Sequence, residues 1–170
     1  SAYGVYFNED IDNSTVFNNT INTFGSSGYG IRIYDSSDDN NFTQNFILTS
    51  GQEGFGVHLH SSSDNILKSN TIKTMSETDA YGFFIYSSNS DGNLIYNNSI
   101  NTTSSNVDLV DTGLTNYWNT TKTSGDNIAG GNYLGGNLWL FHNGSGFSET
   151  CSDVDEDTIC DSVYEFGTGN

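Results

Sequence analysis

The chain has 170 residues, of which 21 are acidic and four are basic, so its formal net charge at pH 7 is −17. This composition excludes nucleic acid as a partner, because neutralising phosphates requires clustered Lys and Arg. Membrane insertion is not expected either, since no apolar run approaches the length of a membrane span. The length indicates one domain, and the acidity suits cation binding or a salty exterior.

A block of related sequence recurs every 26 residues. Each block holds an aromatic residue, a glycine and two apolar residues spaced by two, and the blocks occupy residues 3–7, 29–33, 55–59 and 81–85. A constant period of this size is typical of a solenoid, in which each repeat forms one coil that cannot bury its apolar side alone.

A second short strand is predicted after the polar turn that follows each block. It carries an apolar residue, an asparagine three positions later and an isoleucine two positions after that; the asparagines are Asn19, Asn45, Asn70 and Asn98. Short alternating strands between Ser, Asp, Asn and Gly turns indicate β-structure rather than helix. We therefore predict an all-β, right-handed parallel β-helix with about 26 residues per coil, in which these asparagines stack as a hydrogen-bonded ladder.

Residues 1–112 hold these repeats, and residues 113–170 are expected to form the last coil, an aromatic and glycine-rich cap and an acidic loop between two cysteines. Ser1 and Ala2 directly precede the first block. Since solenoids need polar caps, we expect either that upstream residues were removed or that this end stacks on another chain.

The outward side chains of the first strands form a candidate ligand strip: Tyr6, Arg32, Tyr34, His58, His60, Phe84 and Tyr86. Such a strip could stack on sugar rings or on a protein partner, although outward aromatic residues also occur because β-sheet favours them. Arg32, His58 and His60 are the one candidate catalytic group. No acidic residue stands in the same columns, so we assign no catalytic residue.

The cysteine-bracketed segment 151–161 carries the sharpest chemical signal. Carboxylates stand at relative positions 1, 3, 5 and 9, the ligand spacing of calcium loops: Asp153, Asp155, Asp157 and Asp161. The Ile159 carbonyl falls at position 7. Thr158 replaces the usual glycine and Tyr164 the usual final glutamate, which Glu165 or Glu149 could supply. The alternative is a solvated acidic turn without metal.

Cys151 and Cys160 are the only cysteines, and in an exported protein their pairing into a short-loop disulfide is expected. Seven Asn-x-Ser/Thr sequons are candidate N-glycosylation sites: Asn13, Asn18, Asn41, Asn97, Asn101, Asn119 and Asn143. The side chains of Asn18 and Asn97, which adjoin the ladder, are expected to point outward. Sequons, cysteines and acidity together predict secretion.

Repeats of the form YGI-I-x-SSxxNxxxxNxI resemble the parallel β-helix repeats of archaeal surface-layer-associated and NosD-like proteins, the carbohydrate-binding and sugar-hydrolase group. The last stretch, residues 118–164, resembles the C-terminal end of such secreted proteins, which reads C-x-D-x-D-x-D-G-x-C-D-x-x-Y. This resemblance implies an extracellular or cell-surface protein with a calcium-loop tail. A copper site at His58 and His60, suggested by the NosD name, is not expected, because Met and further His ligands are missing.

We therefore expect a cell-surface structural or adhesive module that could assemble head-to-tail into a filament or sheath, stabilised by calcium. Its expected partners are other copies of itself, other surface proteins or glycans. The alternative is a polysaccharide-binding or polysaccharide-active β-helix protein, in which the outer strip is the binding or catalytic face.

Overall fold

The computed structural model describes residues 2–76, 78–103, 109–112 and 115–164. Regular structure in this part of the chain is almost entirely β-strand, arranged in three parallel sheets. Within these residues no helix is long and apolar enough to cross a membrane.

Each of the first four coils contributes one strand to each sheet, and the last coil contributes a strand to sheets A and C. Sheet A holds β1 (Val5–Asn8), β4 (Ile31–Tyr34), β7 (Val57–His60), β10 (Phe83–Tyr86) and β13 (Leu109–Asp111). Sheet B holds β2 (Thr15–Phe17), β5 (Asn41–Thr43), β8 (Ile66–Lys68) and β11 (Leu94–Tyr96). Sheet C holds β3 (Thr20–Thr23), β6 (Phe46–Thr49), β9 (Thr71–Thr74), β12 (Ser99–Thr102) and β16 (Leu138–Phe141).

The register of sheet A repeats with the sequence period. Val5 pairs with Ile31, Ile31 with Val57 and Val57 with Phe83, each step being 26 residues. The chain is therefore a parallel β-solenoid of about four turns, which confirms the predicted fold class.

The second arm of each repeat differs from the prediction. It is two strands, one in sheet B and one in sheet C, rather than a single strand. The residue before each ladder asparagine has a positive φ (Asn18 56°, Gln44 57°, Ser69 56°, Asn97 56°), and this left-handed residue turns the chain from one sheet to the next.

Inward side chains of the three sheets form one continuous core. Ile31, Ile33 and Phe42 are fully buried, as are their equivalents in the next coils. The repeated glycine is required by close approach: a Cβ on Gly30 would lie 2.2 Å from Ile47 Cγ2 and 2.6 Å from Gly56 O. The apolar periodicity therefore specifies the core, and the glycine lets adjacent coils approach there.

The four predicted asparagines are hydrogen-bonded along the solenoid axis. In each step the backbone N–H and the Nδ2 of one asparagine donate to the Oδ1 of the next, at 2.9–3.1 Å. Asn137 adds a further step, because its Oδ1 accepts from Asn98 N and Nδ2 at 3.0 Å. These bonds satisfy the backbone at the bend between sheets B and C.

A second ladder was not predicted. Asn40, Asn65, Asn93 and Asn116 stack where the polar turn enters sheet B, each Oδ1 accepting the backbone N–H of the preceding coil at 2.9–3.1 Å. The asparagine side chains therefore satisfy backbone N–H groups of these turns from within the solenoid, although the sequence suggests ordinary polar loops.

The C-terminal segment closes the last coil. Tyr117 forms a parallel bridge with Leu94, and β16 pairs with β12 in sheet C. Between these contacts, β14 (Thr123–Ser124) and β15 (Tyr133–Leu134) form an antiparallel pair outside the solenoid. After β16 comes α1 (Phe147–Thr150), followed by the Cys151–Cys160 disulfide, which was predicted.

Candidate functional site

The outer side of sheet A carries three columns of side chains, here called the aromatic face. The first column precedes the strands and consists of Tyr3, Tyr29, Phe55 and Tyr81. The second consists of Tyr6, Arg32, His58 and Phe84, and the third of Asn8, Tyr34, His60 and Tyr86. Each column is set by the 26-residue register, so equivalent residues of neighbouring coils lie side by side.

Rings of the aromatic face stack both along and across the columns. In the first column, ring centroids are 5.0–5.5 Å apart, and Tyr29 and Phe55 are nearly parallel at 4°. Phe55 also stacks on Phe84 at 4.5 Å, and Tyr34 stacks on His60 at 4.7 Å. The face is therefore one connected array of rings.

Arg32 lies among tyrosine rings within this array. Its Cζ is 5.0, 5.2, 5.8 and 4.5 Å from the ring centroids of Tyr3, Tyr6, Tyr29 and Tyr34. Its Nη1 donates to Tyr3 Oη at 2.7 Å. The cation is thus held by ring faces, which attract it electrostatically.

The histidines of the face are embedded in the rings. His58 is only 7% exposed, although it points outward from the sheet, because Tyr29 and Phe84 lie 4.9 and 5.5 Å from it. Burial, and then the charges of Arg32 and His60, lower the pKa of His58 to about 4. It is therefore neutral at physiological pH.

The Nδ1 atoms of both face histidines and the Nε of Arg32 are buried, and none has a hydrogen-bond partner among the described residues. Burying an unpaired polar group costs free energy, and within the described residues all three such side-chain atoms lie on the aromatic face.

All seven residues of the predicted ligand strip lie on the aromatic face. The prediction missed the first column, which it assigned only to the repeat signature. The constant 26-residue spacing of Tyr3, Tyr29, Phe55 and Tyr81 was the available signal, since residues at one repeat position must stack.

The acidic loop brings three of its predicted ligands together. Single carboxylate oxygens of Asp153, Asp155 and Asp157 all lie within 4.8 Å of one another. Lys122 Nζ pairs with Asp157 and lies 3.7 Å from Asp155 Oδ2. A lysine ammonium therefore partly neutralises the cluster, a contact that the sequence does not reveal.

Asp161, a further predicted ligand, is not part of this cluster and accepts a hydrogen bond from Val154 N at 2.8 Å. Glu165 lies outside the described residues. The Ile159 N–H donates to Asp157 Oδ1 at 2.8 Å. Beside the loop is a cavity of about 560 Å³, lined by Trp118, Trp139, Phe147 and Tyr164 among others.

The sequons differ in accessibility. Asn13, Asn18, Asn119 and Asn143 are exposed, while Asn41 and Asn101 are half-buried. Asn97 is 4% exposed, and its Nδ2 donates to Ser69 Oγ and Asp126 O at 2.9 and 3.2 Å. Asn97 is therefore not an accessible sequon, because the segment that contains Asp126 and Ile128 covers its side chain. Glycosylation itself stays a prediction.

Comparison with known proteins gives one family match. The family model described as "Periplasmic copper-binding protein (NosD)" matches residues 1–144 of the 170. No curated protein and no solved structure matches the chain significantly.

The described residues do not fit a copper centre. Copper in proteins favours imidazole, thiolate and thioether ligands. His58 and His60 have ring centroids 6.4 Å apart, both cysteines are in the disulfide, and the aspartate triad is the one group of three or more metal-ligating residues in the described part of the chain. That triad offers only oxygen, which suits harder cations.

Proposed function

The chain belongs to the NosD family, and on this premise we propose that it is a periplasmic or extracellular module that binds glycan chains across the aromatic face. One observation carries the proposal: rings of successive coils stack in columns along the outside of sheet A. Tyr6 and Tyr86, at opposite ends of the face, are 41% and 53% exposed.

Two features support a periplasmic or extracellular location. The matching family is described as periplasmic, and the Cys151–Cys160 disulfide belongs in an oxidising environment. Placement at the cell surface, and attachment of N-glycans at the exposed sequons, are part of this proposal.

The architecture of the face suits a sugar chain. Sugar rings present apolar C–H groups that pack on aromatic rings, and their hydroxyls need polar partners nearby. Asn8 and the two histidines supply polar atoms beside the rings. Because the strands below are fixed on both sides by neighbouring coils, little freedom is lost on binding.

The same face favours binding over cleavage. Hydrolysis of a glycosidic bond commonly uses two carboxyl groups that flank the bond. None of the outward residues in the three columns of the aromatic face is Asp or Glu. We therefore propose a binding module rather than a hydrolase.

Binding is tested by isothermal titration calorimetry with soluble β-glucan, xylan, mannan and polygalacturonate. We expect at least one of them to bind the wild-type chain, and Tyr86→Ala to weaken that binding about tenfold. Phe17→Ala is the matched control, because Phe17 is 57% exposed and lies in β2 of sheet B rather than in sheet A. Absence of binding, or equal losses in both variants, would refute the proposal.

Calcium at the acidic loop is a second part of the proposal. Support comes from the converging oxygens of Asp153, Asp155 and Asp157 inside a disulfide-closed loop. A bound cation would stabilise the cap by binding only the folded loop. Thermal unfolding in calcium and then in EGTA tests this: the midpoint is expected to fall with EGTA, and an unchanged midpoint contradicts it.

Self-association into a filament or sheath is a third part of the proposal. Repeated coils can stack on one another, and a head-to-tail contact between copies of one chain propagates without closing. Light scattering and negative-stain microscopy are expected to find stacked species, and a strict monomer at high concentration contradicts them.

A further inference from the structure

We propose that Arg32 makes the aromatic face selective for acidic glycans, through direct contact with a sugar carboxylate. The inference rests on the proposed function, because it names the ligand class of the same face. Arginine suits a carboxylate since its planar guanidinium can offer two parallel N–H donors.

Arg32 differs from the three lysines of this chain because four tyrosine rings surround its guanidinium. The sequence has 21 acidic and four basic residues, so carboxylates are abundant. Within the described residues both ion pairs are made by Lys122, and none by Arg32. A half-buried guanidinium without a carboxylate partner in so acidic a chain leaves room for an acidic ligand.

The donors of Arg32 are also incompletely used. A guanidinium has five N–H donors. Nη1 donates to Tyr3 Oη at 2.7 Å, and Nε is buried with no partner among the described residues. Tyr3, Tyr29 and Tyr34 lie within 5.8 Å of Cζ and fix the position of the group, so a carboxylate would meet an arginine already held in place.

The residues next to Arg32 suit the rest of an acidic sugar. His58 is its register partner in the next coil, and His60 is two residues further along the same strand. His60 is half-buried, so its ring can present a polar edge to a sugar hydroxyl. The face therefore offers one cation, polar atoms and ring faces in adjacent positions, which together match a uronic acid.

The competing explanation is structural: Arg32 could serve only to fill the space between tyrosine rings. That role predicts no difference between acidic and neutral sugars. It also predicts that replacing Arg32 affects unfolding and all glycan binding alike, so the two explanations give different results.

The experiment compares polygalacturonate with its fully methyl-esterified form, which has the same backbone without charge. Calorimetry in about 0.15 M salt limits long-range repulsion from the net charge of the chain. We expect wild type to bind the acid form about tenfold more tightly than the ester. Arg32→Gln should weaken binding of the acid form about tenfold more than binding of the ester, so that the two polymers bind the variant with similar affinity.

Lys73→Gln is the matched control, since it removes the same charge from β9 in sheet C, and it should keep the full preference. Arg32→Lys, which keeps the charge without the planar fork, should retain only part of it. Thermal unfolding of each variant verifies that it is folded.

Each other outcome is decisive. If wild type binds the acid form and the ester with equal affinity, the role of Arg32 is overturned but the proposed glycan binding stands. If wild type binds neither polymer and none of the neutral glycans above, the role of Arg32 and the proposed glycan binding are both overturned. A folded Arg32→Gln variant that loses both polymers equally supports the structural role instead. Tighter binding of dextran sulfate than of polygalacturonate, with plain dextran as reference, overturns the carboxylate assignment.

Discussion

Acidification should destabilise the solenoid through His58. The imidazole is 7% exposed and packed between aromatic rings next to Arg32, so protonation in the folded state is unfavourable. In the unfolded chain the same group titrates normally. Since the unfolded state then binds a proton that the folded state does not, folding loses free energy as the pH falls from about 6.5 towards about 4.

The magnitude follows from the two pKa values. With 6.5 in the unfolded chain and about 4 in the folded chain, linkage gives a loss of about 2 kcal/mol between pH 7 and pH 5. His58→Phe should abolish this contribution. Phenylalanine fits the column, because Phe84 occupies the same register position in the next coil.

The assay is urea unfolding of wild type and His58→Phe at pH 7 and pH 5. Carboxylates titrate in both proteins, so the difference between the two pH-induced changes isolates His58. His60→Gln, in which His58 remains, serves as the control and should keep most of the wild-type pH dependence. Equal pH dependence in wild type and His58→Phe would refute the reasoning.

Three further perturbations test the coil and the cap. Asn70→Ala should lower the free energy of unfolding in urea by about 3 kcal/mol, because it leaves buried backbone groups unpaired. The control Asn22→Ala, at an exposed position, should be nearly neutral. Similar losses in the two variants would contradict the ladder's role. Gly56→Ala should lower the free energy of unfolding by about 1–3 kcal/mol, since its Cβ would lie 2.3 Å from an isoleucine methyl. Gly136→Ala is the control, because its Cβ would have no atom within 4 Å. A neutral Gly56→Ala would show that the coils can separate. Lys122→Met should raise calcium affinity in calorimetry by removing the competing ammonium, and an unchanged or lower affinity would contradict that competition.

Much of the coil was predictable because it is specified by local rules that repeat. The block at residues 3–7 and its copies fix sheet A, its register and which side chains face inward. The bend between sheets B and C was missed because it depends on left-handed residues that are not glycine. Asn18, Gln44, Ser69 and Asn97 share that backbone conformation but have no common residue type.

The second ladder was missed although its spacing is regular. Asn40, Asn65 and Asn93 each stand five residues before an asparagine of the first ladder, but they lie in polar turns, where stacking inside the coil was not expected. Turns rich in Ser, Asp and Asn are usually solvated, which favours a loop interpretation.

In the candidate site, too, some features could be predicted from the sequence and others could not. Period and alternation predicted that Arg32 and His58 face outward, but not that His58 is buried, because its burial comes from rings of three neighbouring coils. The approach of Lys122 to Asp157 joins residues 35 positions apart across an irregular segment. No periodic rule governs such a contact.

The most direct test of the aromatic face is an NMR titration of the histidine imidazole signals with a bound glycan. The chain has three histidines, of which His58 and His60 lie on the face and His142 follows β16 in sheet C. We expect the chemical shifts of His58 and His60 to change as glycan is added, up to a plateau at saturation, while that of His142 stays constant. A shift confined to His142, or none at all in a chain that binds the glycan, would place the binding site elsewhere.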